Sequence, residues 1–417
     1  MRNIYMLLLV CISLKVEAQT STFSYVDSLL ESGRYKQALT KLKQVDTLHY
    51  IVNYKIGNIY VSIDDYVNAS LYYKKSLLYK DSKRVQKALA IAYNKTKQYK
   101  KAIQIYEQLS KLDSEDLLIQ YRLGKLYFIT NNLANASKVF SELTKRDPEN
   151  PNYYYQLGLI AARKHDGNGM LDNFLRAYKS DTTHIKSIYQ LAKTFGLIRK
   201  RDSSRLFTDR GLQLDSLHIN LNKLKINSFF REKEYQKAIS RLHLLDSILP
   251  NDLYVKKMLA RSYYNIDSLD LAQKNFEIAR NLDKEDFKIL TYLGHIFKSK
   301  KEYQKAYFSY FRATLLGKKE RSEEYYSMGV LQLEMKLPKR AILSFDKALK
   351  ENRYKYKALY QKALTADSYY RDKKIAYKLY DEYILSFEEK DKDITTFVKK
   401  RMKEIKEMLF MKGKKVE

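Results

Sequence analysis

Cysteine is nearly absent from this sequence. Cys11 is the only one in 417 residues, and it stands in a short apolar run, residues 4–14, behind Arg2. Val16-Glu17-Ala18 before Gln19 supplies a small-residue cleavage site, so residues 1–18 are expected to be an export signal that is removed. The apolar run is about a dozen residues long, short of the roughly 20 needed to cross a bilayer. Val10 is bulkier than a lipoprotein processing site wants, so lipid anchoring is not expected. Without Cys11 the mature chain has no thiol, which removes disulfides, thiolate nucleophiles and cysteine-ligated metals together.

Other absences narrow the chemistry further. There is no Trp, and there are only 4 prolines and 12 glycines. Pro148, Pro151, Pro250 and Pro338 fall at or near expected turns, so long helical stretches go uninterrupted. No stretch shows the strict alternation of a half-buried strand. The histidines His49, His165, His184, His218, His243 and His295 are scattered, without the i, i+4 pairing of a helical metal site. No nucleophile elbow, phosphate-binding loop or dinucleotide fingerprint is found. His165-Asp-Gly-Asn-Gly169 resembles the start of a calcium loop but lacks the later ligands and the closing Glu, and it reads as a turn. No cofactor, metal or enzymatic activity is expected.

What the chain has is tyrosine, positive charge and a repeat. There are 38 Tyr, and 78 Lys+Arg against 48 Asp+Glu give a net charge of +30. Residues 288–321 read as two amphipathic helices folded back on each other, with Leu290, Leu293, Gly294 and Phe297 on the first and Tyr303, Ala306, Tyr307, Tyr310 and Ala313 on the second. Such a pair cannot bury both stripes alone. Copies recur at a spacing of 34 residues, as from Ala102 to Ala136 and from Ala238 through Ala272 to Ala306. Counted from the start of each first helix, the eighth place is small (Gly57, Ala90, Gly124, Gly158, Ala192, Ala260, Gly294, Gly329) and the twentieth is mostly alanine (Ala38, Ala69, Ala102, Ala136, Ala238, Ala272, Ala306, Ala341, Ala376). Met170 and Ser204 hold the twentieth place between Ala136 and Ala238 without loss of phase. This is the signature of a helical solenoid.

On these residues the chain resembles the tetratricopeptide repeat (TPR) proteins, of an exported bacterial type. Leu123-Gly124, Leu157-Gly158 and Leu293-Gly294 carry the pattern at places seven and eight. Aromatics follow at place eleven (Tyr60, Tyr93, Tyr127, Phe195, Phe229, Tyr263, Phe297) and at twenty-four (Tyr73, Tyr106, Phe140, Phe174, Phe276, Tyr310, Phe345), with late prolines at Pro148 and Pro250. Tyr154, Tyr325 and Tyr360 stand at or near the family's tryptophan place. The resemblance implies an all-α, right-handed superhelical solenoid of about eleven hairpins, spanning residues 19–391. Units are expected to begin near Tyr50, Lys83, Leu117, Pro151, Ile185, Ile219, Leu253, Phe287, Ser322 and Lys357, after a shorter first unit from Thr22 to Thr47. The segment 185–217, where Ser204 and Gly211 replace alanines, is expected to be the softest. Residues 392–417 read as a capping helix with a basic tail, its stripe made of Ile394, Phe397, Val398, Met402, Ile405, Met408 and Leu409.

The resemblance also implies a function, binding protein partners as an assembly scaffold. In the family the first helix of each unit lines a concave groove through places two, five, nine and twelve. Here those places offer Tyr121, Lys125, Tyr155, Tyr189, Lys193, Lys223, Asn227, Tyr254, Lys257, Arg261, Tyr264 and Lys288, together with Tyr54, Asn58, Lys87, Phe128, Phe230 and His295. Tyrosines among cations suit an extended acidic peptide segment, the ring giving area and the cation fixing carboxylates. Lys223, Asn227 and Lys288 match three members of the family's carboxylate clamp, while Met258 and Tyr292 stand where the clamp has Asn and Arg. A second reading uses the turns inside the hairpins. Lys95, Lys97, Lys100 and Lys101, then Arg199, Lys200 and Arg201, Arg231 and Lys233, Lys298, Lys300 and Lys301, and Lys373 and Lys374 form a basic ridge suited to an anionic envelope surface or polyanion. Nucleic acid is disfavoured by the export signal and by the Gly/Ala pattern. The expected location is periplasmic or secreted, in a Gram-negative bacterium, in the assembly or maintenance of envelope complexes.

Overall fold

The computed structural model describes residues 22–45, 49–316 and 321–411. Residues 1–18, expected to be an export signal, with Cys11, as well as Thr47 and the tail after Met411, lie outside these residues. Among the described residues every regular element is a helix, as an all-α solenoid requires. The chain divides into two compact units, Met1–Asp215 and Ser216–Glu417. The division falls at the end of the segment in which Ser204 and Gly211 had displaced the repeat's alanines.

In the first unit a helix over residues 22–31 precedes Tyr35–Gln44. The pairs Tyr50–Ser62 with Tyr66–Tyr79, Lys83–Lys95 with Tyr99–Leu112, Leu117–Ile129 with Leu133–Arg146, Pro151–Arg163 with Gly167–Ser180, and Ile185–Leu197 with Arg201–Leu214 follow. The second unit continues with Ile219–Arg231 and Tyr235–Ile248, Leu253–Asn265 and Leu269–Leu282, Phe287–Ser299 and Tyr303–Leu316, Ser322–Glu334 and Pro338–Glu351, Tyr356–Tyr369 and Lys373–Phe387, and then the single helix Lys392–Met411. Inside each unit every helix from Tyr35–Gln44 onward packs on the next one in sequence. First helices begin where the repeat spacing puts them, apart from a one-residue difference at Tyr356.

The periodic residues explain the packing. The alanines at the twentieth place, Ala38 through Ala376, are fully buried, because there the second helix crosses its partner too closely for a larger side chain. The place-twenty-four aromatic lies over the place-eight small residue of the same hairpin. A Cβ on Gly57, Gly158 or Gly329 would come 2.5 Å from the ring of Tyr73, Phe174 or Phe345. Each such ring is nearly or wholly buried, and burial of one is worth about 2–3 kcal/mol. Where Ser204 replaces alanine, its hydroxyl donates to the Ala192 carbonyl at 2.8 Å, which satisfies the polar atom inside the same contact.

The turns inside the hairpins also repeat. In every hairpin but the last, the second residue after the first helix has left-handed backbone: Gly33 with φ of 72°, then Asp64, Lys97, Asn131, His165, Arg199, Lys233, Asp267, Lys301 and Lys336, with φ from 59° to 62°. Lys97 N–H donates to the Asn94 carbonyl and Gln98 N–H to the Tyr93 carbonyl, the paired bonds of a Schellman turn. The His165 stretch takes the same form. Asp166 caps the following helix by accepting from Gly169 N–H at 2.9 Å, so the calcium-like sequence is a turn followed by a cap. In the helix Lys392–Met411, Thr395, Val398, Ile405 and Leu409 are buried, and Ile394 and Met402 pack against the last hairpin.

Candidate partner-binding face

In the first unit the expected groove residues lie on first helices with one side against the core. Tyr121 is half-buried, its ring 5.8 Å from Phe140 and 6.0 Å from Tyr153. Exposed Lys125 reaches over it at 5.6 Å. Burial raises the Tyr121 phenol, with a hydrogen bond from Gln156 opposing. Tyr155 stands 5.9 Å from Phe174 and edge-on to His184 at 5.6 Å. Tyr189 is half-buried, and Lys193 is exposed. In this unit the candidate residues thus set aromatic rings beside the exposed Lys125 and Lys193.

The second unit concentrates the same chemistry around one guanidinium. Arg261 lies with its carbon 4.5 Å from the Phe230 ring centre and 5.9 Å from that of Tyr292. Its Nη1 meets the Met258 sulfur at 3.8 Å, and its buried Nε has no hydrogen-bond partner. Tyr292 stacks on Phe276 at 5.0 Å and meets Tyr264 edge-on at 5.8 Å, so the guanidinium's aromatic wall is braced by the core. Lys288, one turn before Tyr292 on the same helix face, is exposed. Tyr254 donates to Asn227 Oδ1 at 3.0 Å and to the Lys223 carbonyl at 3.2 Å. Burial, reinforced by nearby Asp252, pushes its phenol well up.

Several residues expected to face a partner are engaged inside the protein. Lys223 pairs with Asp252 at 3.6 Å, Lys87 with Asp116 at 2.6 Å, and Lys257 with Asp286. Each of these aspartates is the N-cap of the next first helix, accepting from Val255, Ile119 or Lys288 N–H. The lysine at place five therefore holds the cap of the following hairpin. Asn58 accepts from the buried Tyr73 hydroxyl at 2.8 Å, and His295 Nδ1 meets that of Tyr310 at 2.8 Å. The clamp-like set is thus divided: Lys223 and Asn227 have internal partners, and Lys288 stands apart from them. Sequence reasoning passed over Tyr292 as a missing clamp arginine. Its role as a wall for Arg261 was signalled only by an aromatic at place six, one hairpin on.

The basic turns divide in the same way. Lys97, Arg199, Lys233 and Lys301 are exposed at the left-handed position. Lys298 pairs with Glu334 at 3.0 Å, Lys300 with Asp270 at 2.5 Å and Lys373 with Asp367 at 3.2 Å. Among the described residues no group of His, Cys, Asp and Glu is placed to hold a metal ion, and no helix is long and apolar enough to cross a membrane.

A family model agrees with the hairpin geometry over part of the chain. Residues 93–160 match the family model described as tetratricopeptide repeat. No curated protein matches the chain. Among solved structures the chain is similar to yeast Tom70, at 14% identity over 93% of this chain and 96% of that one, with a TM-score of 0.40. It is similar to the Cut9–Hcn1 hetero-tetramer of the APC/C at 12% identity over 89% and 95%, with a TM-score of 0.44. A tetratricopeptide repeat protein from Parabacteroides merdae matches at 15% identity over 62% and 98%, with a TM-score of 0.41. Small residues facing aromatics hairpin after hairpin, with the matched repeat at 93–160, make this an all-helical chain of stacked hairpins similar to the tetratricopeptide repeat proteins.

Proposed function

We propose that the chain is an exported assembly scaffold that holds an extended, acidic segment of a partner protein against its first helices. The observation that carries the reading is Arg261. A guanidinium between two aromatic rings, with a buried Nε and no carboxylate beside it, is an anion donor set without its acceptor. Leaving such a donor unpaired costs about 1–3 kcal/mol, a cost that an incoming carboxylate would remove. Tyr254, Tyr264 and Tyr292 would supply contact area at low entropic cost, and Lys288 a second charge. In the first unit Tyr121, Lys125, Tyr155, Tyr189 and Lys193 offer a similar mixture. Lys223, Lys257 and Asn227 would shape the face by holding caps and rings in place. Nothing in this mechanism transforms the partner.

Export rests on residues 1–18, and mass spectrometry of the mature protein tests it. A chain beginning at Gln19 supports it, and a retained leader contradicts it. For binding, the experiment is partner capture by the full chain and by the double variant Tyr254→Ala with Arg261→Ala. Loss of capture with unchanged helicity by circular dichroism supports the reading. Equal capture by the variant would remove this part of the face from it.

A further inference from the structure

We infer that the helix Tyr303–Leu316 carries a separate docking surface for an amphipathic helix of a partner protein, one with an apolar seam and an acidic flank. The repeat supplies its own control. The second helices of this unit are built alike, so equivalent outer positions can be compared. In Leu269–Leu282 three of them hold Lys274, Glu277 and Asn281, and in Pro338–Glu351 they hold Leu343, Asp346 and Lys350. Both sets carry charge. In Tyr303–Leu316 the same positions hold Phe308, Phe311 and Leu315, exposed at 60%, 41% and 70%.

Hairpin packing does not need these side chains. Ala306, Tyr310 and Ala313 already bury the inner face of the helix. The Phe311 ring lies parallel to that of Tyr307, with centroids 6.3 Å apart and planes 2° apart, while 41% of it stays exposed. An apolar stripe kept in water at one repeat alone of these three marks an interaction surface.

The spacing names the occupant. Gln304, Phe308, Phe311 and Leu315 alternate steps of four and three, the seam along which two helices pack side by side. Lys305 and Arg312, both exposed, each follow a seam residue and flank the stripe on one side, seven positions apart. Lys305 pairs with the partly buried Glu302 within its own turn at 2.5 Å, while its own side chain stays exposed. Such flanking cations select acidic residues on the facing helix. The other flank holds Tyr307 and buried Thr314, whereas a bilayer would be met by cations on both sides. A second copy of this chain would set cation against cation at a net charge of +30. The inference is independent of the Arg261 face.

The test uses the full chain and a labelled helical peptide of about three heptads with Leu at the seam and Glu on both flanks, beside the same peptide with Lys for Glu. Fluorescence anisotropy at physiological salt should show saturable binding of the Glu peptide and none of the Lys peptide. Phe308→Ser with Phe311→Ser should weaken binding at least roughly tenfold with unchanged circular dichroism. Lys305→Glu with Arg312→Glu should shift the preference to the Lys peptide. Equal binding by the serine variant would mean that surface charge alone holds the peptide, and would overturn the inference, as would no saturable binding. Vesicles of anionic phospholipid that bind the chain through Phe308, or a concentration-dependent dimer lost in the serine variant, would overturn it in favour of those occupants.

Discussion

The ring of Tyr310 lies against Gly294 so closely that a Cβ there would come 2.5 Å from its Cε1. Tyr310 is fully buried, and its hydroxyl meets His295 Nδ1 at 2.8 Å, so the ring cannot retreat without breaking that bond. Gly294→Ala should gain about 1 kcal/mol of helix propensity yet lose about 1–3 kcal/mol to overpacking. A lower urea midpoint and faster hydrogen exchange in the two helices of this hairpin are the expected readouts. Ala260, at the same place of another hairpin, is fully buried in one cluster with Phe276, so the place can admit a methyl group there.

The left-handed turn residues are a reserve of stability. Lys301 has φ of 60°, where a Cβ costs about 1–2 kcal/mol, partly offset by the greater unfolded freedom of glycine. Lys301→Gly should therefore raise stability by about 0.5–1 kcal/mol. Differential scanning calorimetry of the variant checks it, and an unchanged or lower midpoint would count against the turn geometry.

Lys257 and Asp286 should respond unequally to substitution. The pair is partly exposed, so Lys257→Met should cost at most about 1 kcal/mol. Asp286 also accepts from Lys288 N–H at 3.0 Å as a helix cap, and Asp286→Ala should cost about 1 kcal/mol more. Urea midpoints of the two variants give the comparison.

The last helix should detach in acid. Burial pushes the Asp367 carboxyl up, but hydrogen bonds from Arg401 (2.6 Å and 3.2 Å) and the adjacent Lys373 outweigh it and hold the carboxyl below its usual range. A folded-state value below the unfolded one means that the stabilisation is present above about pH 4 and is lost as pH falls through the depressed value. His295 is shifted down chiefly by burial, so its share begins to fall below about pH 6.5. The protection of residues 392–411 from hydrogen exchange, corrected for the slower intrinsic exchange in acid, should therefore fall as Asp367 is protonated. Arg401→Ala should produce that loss of protection already at neutral pH, at a cost of about 3 kcal/mol.

The fold was legible because its contacts are local and periodic. Gly57 and Tyr73 pack at the same offset as Gly294 and Tyr310, so one hairpin read correctly gave its neighbours. The left-handed turns were not legible, since Lys97, Arg199 and Lys301 carry no glycine to mark them. At the candidate face, residue type named the helix side but not the occupancy. Lys223 and Lys257 looked like free cations until the capping aspartates of the next hairpin were seen beside them. The spacing from Lys87 to Asp116, repeated from Lys223 to Asp252 and from Lys257 to Asp286, could have revealed those pairs. Arg261 stands out by contrast, because no carboxylate occupies the equivalent place.

The most direct measurement is a titration of the full chain with labelled extended peptides of alternating acidic and apolar residues, comparing wild type with Arg261→Ala. Binding that weakens at least roughly tenfold in the variant, and persists in part as salt is raised because rings as well as charges hold the peptide, is the predicted result. Equal affinity of wild type and variant, or equal affinity for a peptide whose acids are replaced by amides, would contradict the account.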